Sequence, residues 1–317
     1  MAVWVYAEVT LDGPTPGSLE LLAKARELGE AEAVALGPGA TAAAPELGNH
    51  GATTVYASDD AVYADYLAQP AAHSLGRLVQ EHHPDLILFP STYGARDVAG
   101  RLQAKLGTTL MANAVDILSA DAARTRIAGG TILVDVTLEG PAPRSIIVSP
   151  KVFTAAPTGG TAKVVTVAFE IPAGCLRARR TERHDEAASG PSLEEARVVV
   201  SGGRGLQDAA NVGLLQQLAD AIGGAAVGAT RAIVDAGWIS YSHQVGQTGK
   251  TVKPEVYLAV GISGALQHLV GMSGSKFVIA INRDADAPIL RVADLGVVGD
   301  ALVVVPALID ELAKRRA

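Results

Sequence analysis

Short apolar runs alternate with longer amphipathic stretches along the first part of the chain. Apolar runs of strand length occur at residues 3–9, 32–36, 53–57 and 85–89. Stretches with apolar side chains at helical spacing lie between and after them, at residues 17–28, about 61–82 and about 91–106. Ser18 is expected to cap the first of these helices, and residues 91–97 to cap the last. Strands that alternate with helices predict right-handed crossovers and a parallel sheet.

The pattern changes after about residue 110, where β-branched runs follow one another without helices. They occupy residues 124–128, 131–138 and 145–148, and the pair Gly129-Gly130 separates the first two. Two such runs joined by a short glycine turn predict a hairpin. A last strand, at an antiparallel edge, is predicted at residues 163–170. Residues 1–172 are therefore predicted to form an α/β domain with a parallel sheet and an antiparallel extension.

Residues 173–196 are rich in Pro, Gly and charged side chains and predict an interdomain linker. Beyond this segment, strands and helices begin to alternate again. Strands are predicted at residues 197–201, 225–227, 256–260, 277–281 and 301–305, with a helix over about 208–222 and a terminal helix after Pro306. Residues 197–317 are therefore predicted to form a second domain around a doubly wound parallel sheet.

Composition supports the α/β class and disfavours one class of ligand. Hydrophobic residues make up 49% of the chain and aromatic residues only 4%, so the cores must be built from Ala, Val, Leu and Ile. Such cores suit parallel strands that are covered by helices on both faces. The formal net charge of −7 and the pI near 5.5 provide no basic field for a polyanion, so nucleic acid is not expected as a ligand.

Three further features predict a cytoplasmic protein. Cys175 is the only cysteine, so the chain can form no internal disulfide and offers no thiol pair for a metal or for redox chemistry. The sequence starts with an apolar strand-like run and lacks the charged-then-apolar pattern of a signal peptide. No apolar run approaches the roughly 20 residues that span a bilayer, so the chain is not expected to be embedded in a membrane.

Two glycine-rich turns follow apolar strands of the second domain. The first is Gly202-Gly203-Arg204-Gly205, and the second is Gly261-Ile262-Ser263-Gly264. Turns at the carboxyl ends of strands in one sheet would flank the crevice where open α/β sheets bind ligands. Main-chain N–H groups, the helix dipole and a serine hydroxyl at the second turn would favour a diphosphate. The first turn departs from the Gly-x-Gly-x-x-Gly fingerprint, so an ordinary tight turn with a solvated arginine stays open.

Other polar positions nearby are consistent with a nucleotide site but also with simpler roles. The loop over residues 244–250 is polar and glycine-containing, and it could meet the edge of a heteroaromatic ring or be a surface loop. His268 has no second His, Cys or carboxylate at helical spacing, which disfavours a metal site, and it could simply be a satisfied surface residue. Asn282 and Asp300 follow β-rich runs and could contact an adenine or a ribose, or end strands.

Four ordered segments resemble the electron transfer flavoprotein alpha-subunit (FixB) family. The densest match is Tyr257-Leu-Ala-Val-Gly-Ile-Ser-Gly-Ala-Leu-Gln-His268, with Gly271-Met272 and Ile279-Ala-Ile-Asn-Arg-Asp284 behind it. The others are Val200-Ser-Gly-Gly-Arg-Gly205, Val227-Gly-Ala-Thr-Arg-Ala232 and Gln244-Val-Gly-Gln-Thr-Gly-Lys250. The resemblance covers the second half densely and the first half by layout only.

This resemblance implies an FAD in the carboxy-terminal domain and a role for each matching residue. At the diphosphate it implies Ser263, Gly264 and Gln267, at the adenosine end Asn282 and Asp300, and it makes Gly261 a further cofactor-binding residue. Arg204 and Thr230 would line the cleft, the latter where many members have Ser. Along the pyrimidine edge it implies Gln244, Val245, Gly246, Gln247 and Thr248, with Thr248 at flavin N5, His268 facing O2 and Arg231 against the ring near N5.

The function implied by the resemblance is electron carriage without substrate chemistry of its own. A member would form a heterodimer with a beta subunit that holds AMP, and would serve fatty acid beta-oxidation. It would accept electrons from acyl-CoA and other flavin dehydrogenases and pass them to a quinone oxidoreductase through a one-electron semiquinone. A hydrogen bond from His268 and the charge of Arg231 would stabilise that anion.

Three alternatives stay open at this stage. The first is a stand-alone flavin- or nicotinamide-dependent oxidoreductase, which would need a general acid or base near the ring, where His268 is the only candidate. The second is a nucleotide-binding regulatory subunit, which would have no use for Thr248 and Arg231 at N5. The third is a member of the same family that bifurcates electrons with a second FAD in the beta subunit.

Overall fold

The computed structural model describes residues 1–128, 132–182 and 191–316, and the chain forms two compact units, Met1–Arg183 and His184–Ala317. The expected linker at residues 173–196 lies partly outside the described residues. Within its described part, the Ala178 carbonyl accepts from the Leu67 N–H in the first unit, and Leu193 is buried in a core of the second. The predicted domain limits, 1–172 and 197–317, stay a prediction.

The first unit contains strands β1 to β11 and helices α1 to α5. Its principal strands are β1 Ala2–Ala7, β4 Glu30–Leu36, β5 Thr54–Ser58, β6 Leu86–Pro90, β7 Leu110–Ser119, β8 Ala122–Ile127, β9 Ile132–Thr137, β10 Arg144–Val148 and β11 Lys163–Thr166, with a small ribbon of β2 Val9–Thr10 and β3 Gly13–Pro14. The helices are α1 Pro16–Leu28, α2 Ala40–Asn49, α3 Val62–Asp65, α4 Gln69–His82 and α5 Tyr93–Leu106.

The second unit contains strands β12 to β16 and helices α6 to α9. The strands are β12 Val198–Gly202, β13 Ala226–Ala229, β14 Val256–Val260, β15 Phe277–Asn282 and β16 Leu295–Val298. The helices are α6 Gly213–Ile222, α7 Arg231–Asp235, α8 Leu266–Met272 and α9 Ala301–Arg316, and short 3-10 turns include Arg204–Leu206 and Ala209–Val212.

The first unit is built on a nine-stranded sheet in the order β11-β5-β4-β1-β6-β10-β7-β8-β9. Its strands pair in parallel except at the β7–β8–β9 end, which is antiparallel, so the predicted parallel sheet with an antiparallel extension is confirmed. Alternation sends Val3 and Val5 to one apolar core and Trp4 and Tyr6 to the other. The expected turn at Gly129-Gly130 lies outside the described residues.

The edge strand β11 corrects one expectation. It was expected to be antiparallel, but it pairs with β5 in parallel, with Lys163 opposite Thr54. The reason is the path of the chain after β10. The Thr158 N–H bonds to the Asn49 carbonyl, just before β5 begins, so the chain has returned to the amino edge of the sheet before β11 starts.

Local expectations in the first unit need three further corrections. Thr15 and not Ser18 is the N-cap residue of α1, because the Ser18 hydroxyl instead bonds to the backbone of Glu8. The helix expected over 61–82 is two helices, since Tyr66 is extended and bridges to Arg179. The alanine-rich helix α2 and the strand β7 were not predicted, because neither shows a clear apolar period.

The second unit is a five-stranded, all-parallel sheet in the order β13-β12-β14-β15-β16, which confirms the doubly wound fold. The chain leaves β12 on one side to form β13 and then returns to the other side of β12 to form β14. The carboxyl ends of β12 and β14 therefore flank a topological switch point, with Gly202 opposite Val260. Ligands bind at such points in open α/β sheets.

The strand predicted at residues 301–305 is wrong, because these residues open helix α9. The Asp300 carboxylate accepts from the Leu302 N–H at 2.9 Å, as an N-cap does. Ala301 and Val305, four residues apart, are buried in the core, whereas Val303 between them is 70% exposed. Helical spacing of the buried side chains outweighs the β-branched run, and β16 takes the edge of the sheet.

Across the described ranges, none of the helices combines the length and the apolar character needed to cross a bilayer.

Candidate functional site

The two glycine turns lie side by side at the switch point and pack backbone against backbone. The Gly203 N–H donates to the Val260 carbonyl at 3.0 Å, and the Gly205 N–H donates to the Gly261 carbonyl at 2.9 Å. A Cβ on Gly205 would lie 2.5 Å from the Gly261 Cα, so neither turn tolerates a side chain at the contact. The glycines therefore bring the ends of β12 and β14 together.

The second turn carries main-chain N–H groups that have no backbone acceptor among the described residues. Gly261 and Gly264 have positive φ angles of 63° and 85°, which glycine adopts without strain. Within the described chain, the N–H groups of residues 263–266 donate to no backbone acceptor. The side chain of Ser263 is exposed beside them, and helix α8 begins at Leu266. Unpaired N–H groups at the start of a helix favour an anion such as a diphosphate.

Two neighbouring elements fix this turn in place. The Asn282 amide, at the end of β15, donates to the Ile262 carbonyl at 2.8 Å. The Ile289 N–H donates to the Ser263 carbonyl at 3.0 Å. Two carbonyls of the turn, those of Ile262 and Ser263, are thus used within the protein, whereas its N–H groups are not paired with backbone acceptors in the described part of the chain. Asn282 therefore supports the turn in addition to the adenosine contact expected of it.

A buried hydroxyl without a partner lies at the end of β13. Thr230 precedes helix α7 but makes no side-chain cap, and its Oγ1 is buried without a hydrogen bond. A buried polar atom costs free energy unless a partner satisfies it, so this hydroxyl is suited to a ligand. Arg231 follows it, exposed and paired with Asp235 at 3.0 Å, and such a surface pair is weak.

The loop over residues 244–248 is folded against β13 and α8. The Val245 N–H donates to the Ala229 carbonyl at 2.9 Å, and the Gln247 N–H donates to the Gln267 carbonyl at 2.7 Å. The Gln244 side chain is buried and its amide donates to the Thr248 hydroxyl at 3.0 Å. Thr248 itself is exposed, so its hydroxyl is held in position from one side and is open on the other.

His268 is not a surface residue, since only 6% of it is exposed. Its Nδ1 lies 3.0 Å from the Val245 carbonyl and its Nε2 lies 2.9 Å from the Tyr257 hydroxyl. Burial lowers the pKa of His268 to about 4, so the ring is neutral at pH 7. The contact with flavin O2 that the resemblance implies therefore involves a ring whose nitrogens both have protein partners.

Asp300 and Arg204 are the remaining predicted site residues, and both lie at the carboxyl edge of the sheet. One Asp300 oxygen caps α9, and the other accepts from the Gln207 side chain at 3.4 Å. Arg204 is exposed on the first glycine turn. The structure thus brings the predicted residues of β12, β13, β14 and β15 to one edge of one sheet.

Three further polar residues here were not singled out from the sequence. Tyr257 and Ser201 are fully buried on neighbouring strands, and Gln207 reaches Asp300 from a positive φ angle of 68°. The available signal was a polar side chain inside an apolar strand, which occurs at Ser201 and at Tyr257. Among the described residues, no cluster of His, Cys, Asp or Glu could hold a metal ion.

The residues fit a dinucleotide better than a metal or a small acid. The N–H groups at residues 263–266, which have no backbone acceptor in the described chain, suit a diphosphate. The buried Thr230 hydroxyl has no hydrogen-bond partner and suits a polar ligand atom. Two exposed arginines, Arg204 and Arg231, supply positive charge at the same edge. Such an edge can bind a phosphate-bearing cofactor with a polar ring beside the 244–248 loop.

Comparison with known proteins matches both units. A family model described as "Electron transfer flavoprotein FAD-binding domain" matches residues 192–273, and one described as "Electron transfer flavoprotein domain" matches residues 3–172. Asn282 and Asp300 lie beyond the first of these matches.

Whole-length relatives agree with the family models. The chain is 40% identical to the electron transfer flavoprotein subunit alpha of Syntrophomonas wolfei over 98% of this chain and 99% of the relative. It is 39% identical to the subunit of the same name from Paracoccus denitrificans, over 98% and 100% of the two chains. It is 36% identical to protein FixB of Clostridium saccharobutylicum, over 97% and 95%.

Replacing Gly205 by alanine is expected to separate the two glycine turns. The added Cβ meets the backbone of Gly261, which cannot move aside as a flexible side chain would. We expect a loss of about 1–3 kcal/mol in the free energy of unfolding, measured by chemical denaturation. Gly213→Ala is the control, because nothing lies within 4 Å of its Cβ, and it should be neutral or stabilising. Equal effects of the two changes would contradict the account.

The stability of the chain is expected to depend on pH through His268. Because burial lowers its pKa from 6.5 to about 4, the unfolded chain binds a proton in this window that the folded chain does not. Stability is therefore complete above pH 6.5 and falls as the pH falls towards 4, by about 3 kcal/mol in all. His268→Asn should flatten this part of the unfolding free energy against pH. An unchanged slope in that variant would contradict the assignment.

Proposed function

Because the chain belongs to the electron transfer flavoprotein family, as an alpha subunit, we propose that it carries electrons through an FAD bound at the carboxyl edge of its five-stranded sheet. The observation that carries this proposal is the set of N–H groups at residues 263–266 that have no backbone acceptor among the described residues, on the same edge of the sheet as the unpartnered hydroxyl of Thr230. FAD supplies the redox chemistry when it is bound, and the residues of the chain bind, orient and polarise it.

The diphosphate is the part of FAD for which the fit is clearest. Ser263 and Gly264 offer N–H groups, and Ser263 adds its hydroxyl. Gln267 is exposed one turn further along α8. Gly261 keeps the turn close to the first glycine turn, where Arg204 supplies positive charge. These contacts favour an anion because both N–H dipoles and a cation face it.

The redox end is assigned to the 244–248 loop and to Arg231. Thr248 is held by Gln244 with its outer side exposed, so it can hydrogen-bond flavin N5. Val245, Gly246 and Gln247 would bracket the pyrimidine edge. Arg231 is paired only through an exposed ion pair, so its guanidinium can turn to the ring at little cost. Asn282 and Asp300 are assigned to the adenosine end.

The partners follow from the family and not from the structure of this chain. We propose a heterodimer with an electron transfer flavoprotein beta subunit, which would hold AMP. Acyl-CoA dehydrogenases and other flavin dehydrogenases would supply electrons, and a quinone oxidoreductase would receive them, one at a time through a flavin semiquinone. A cytoplasmic location is proposed because the single cysteine suits a reducing compartment.

A stand-alone oxidoreductase receives no support from the site. It would need a general acid or base that faces a substrate. His268 was the only candidate from the sequence, and it is neutral, buried and bonded at both ring nitrogens. An electron carrier needs no such group, which favours carriage without substrate chemistry.

The proposed function is tested by anaerobic reduction of the chain co-expressed with its beta subunit. Stepwise titration with dithionite should give a one-electron flavin intermediate with the absorbance of the anionic form. An acyl-CoA with its dehydrogenase should generate the same species. Direct two-electron reduction by a small substrate, without a dehydrogenase, would overturn the proposal.

Arg231→Ala is expected to lower the potential of the first one-electron couple. Removing a cation beside the ring destabilises the anionic flavin relative to the oxidised form. We expect a decrease of tens of millivolts, where about 59 mV is a tenfold change in a one-electron equilibrium. Arg197→Ala is the matched control, since Arg197 is also exposed and paired but precedes the amino end of β12. Equal potentials in both variants would rule out the role of Arg231.

A further inference from the structure

We propose that Tyr257 is a positioning residue for the flavin-contacting loop, which it holds through His268. The hydroxyl of Tyr257 fixes the imidazole, and the imidazole fixes the Val245 carbonyl within the 244–248 loop. This inference deepens the proposed function, because it rests on the assignment of that loop to FAD. Tyr257 is not among the residues that are assigned to contact FAD, so the proposed function gives it no role.

Three buried residues, Tyr257, His268 and Val245, are connected by two successive hydrogen bonds. Tyr257 on β14 is fully buried, and its hydroxyl lies 2.9 Å from His268 Nε2. His268 Nδ1 lies 3.0 Å from the Val245 carbonyl. The two rings are tilted by 54° with centroids 6.1 Å apart, so the contact is made through the hydrogen bond and not through stacking. This series of hydrogen bonds connects the central strand β14 to the 244–248 loop.

The direction of each hydrogen bond follows from its partners. A carbonyl oxygen only accepts, so Nδ1 of His268 must carry the proton. Burial keeps the ring neutral, so Nε2 has a lone pair and the Tyr257 hydroxyl donates to it. Tyr257 thus satisfies the acceptor that the neutral His268 presents. In this state the ring has no N–H left for a second acceptor.

The loop is held from two sides at Val245. Its N–H donates to the Ala229 carbonyl of β13, and its carbonyl accepts from His268 of α8. The next residue, Gly246, packs so closely that a Cβ would lie 2.8 Å from the Gln267 carbonyl. Movement of the His268 ring would therefore move the backbone that carries Gln244 and Thr248. His268 then acts on the flavin through this backbone.

The surroundings of Tyr257 also indicate that its hydroxyl serves to orient His268. Its ring belongs to an apolar core with Val199, Ala259 and Met272, where a phenylalanine ring would fill the same space. The Ser201 hydroxyl, on the neighbouring strand β12, is the other buried polar group beside the Tyr257 hydroxyl. Buried polar groups add little stability compared with apolar residues of the same shape, but they select one orientation. We therefore assign the hydroxyl to orientation of His268.

The chain offers a matched control in its first unit. Tyr56 is also buried on a parallel strand, and its hydroxyl lies 3.4 Å from Nδ1 of a histidine, His82. The two rings are 4.7 Å apart. Tyr56→Phe therefore removes a tyrosine–histidine contact of the same kind in the unit that lacks the proposed FAD site.

The test combines nitrogen NMR of the full chain with FAD binding to its complex with the beta subunit. Among the seven histidines, His268 is assigned by the signal that His268→Asn removes. At pH 7 the native chain should show His268 protonated at Nδ1 and bare at Nε2. In Tyr257→Phe the chemical shift of Nε2 should change to that of an unprotonated nitrogen that accepts no hydrogen bond. The dissociation constant of FAD should rise about tenfold.

The coupling between the residues provides the sharper criterion. In the His268→Asn background, the amide can still donate to Val245 but cannot reach Tyr257, so adding Tyr257→Phe should have no further effect on FAD binding. Tyr56→Phe should change neither the His268 signals nor FAD binding. Additive effects of the two changes, or native FAD binding and His268 signals in Tyr257→Phe, would overturn the proposal.

Failure of the proposed function gives a different result. If the native complex binds no FAD while His268 shows the expected protonation and depends on Tyr257, the FAD assignment is overturned and the positioning of the loop by Tyr257 is supported. If FAD binds but His268 is protonated at Nε2, the positioning is overturned and the FAD assignment stands.

Discussion

The contact on which the second unit depends is the backbone contact between its two glycine turns. Gly203 and Gly205 donate to the end of β14 and its turn, and the space between Gly205 and Gly261 admits no Cβ. The two parallel strands β12 and β14 are thereby kept together at their carboxyl ends, where the chain departs to opposite sides of the sheet. The residues assigned to the ligand lie along the carboxyl edge of the sheet on both sides of this contact, and this edge is called the rim below.

The rim has two ends of different character. At the 263–266 turn, the carbonyls of Ile262 and Ser263 accept from Asn282 and Ile289, and the N–H groups have no backbone acceptor among the described residues, which suits a charged phosphate group. At the 244–248 loop, side chains are held by other side chains, as Gln244 holds Thr248. Under the proposed function, main-chain dipoles would bind the diphosphate of FAD, and oriented side chains would adjust the electronics of its ring.

The sequence was sufficient to predict a parallel sheet in the second unit and its ligand-binding edge, but not the side-chain network there. Apolar runs followed by glycine turns predicted the parallel sheet and its ligand edge, because buried parallel strands leave a continuous apolar pattern. The run at 301–305 was misassigned because the β-branched residues fit a strand until the Asp300 cap and the burial of Val305 are known. Likewise, the direction of β11 depends on where the preceding chain crosses the sheet.

The side-chain contacts between neighbouring strands and loops could not be predicted from the sequence, for a physical reason. The partners of His268 are eleven residues before it and 23 before it along the chain, and no spacing rule connects them. His268 was expected on a helix surface, since a lone histidine in a polar turn gives no sign of burial. The buried Tyr257 could have been noticed as a hydroxyl in an apolar strand, but its target could not have been inferred without the fold.

Binding of FAD at the carboxyl edge of the five-stranded sheet can be measured by amide NMR of the ¹⁵N-labelled chain in complex with its beta subunit, stripped of FAD and then reconstituted. If FAD binds there, the amide signals of residues 203–205 and 263–266 change most on reconstitution, while those of Arg197 and Glu255 at the amino edge stay in place. Changes concentrated at the amino edge, or in the first unit, would contradict it.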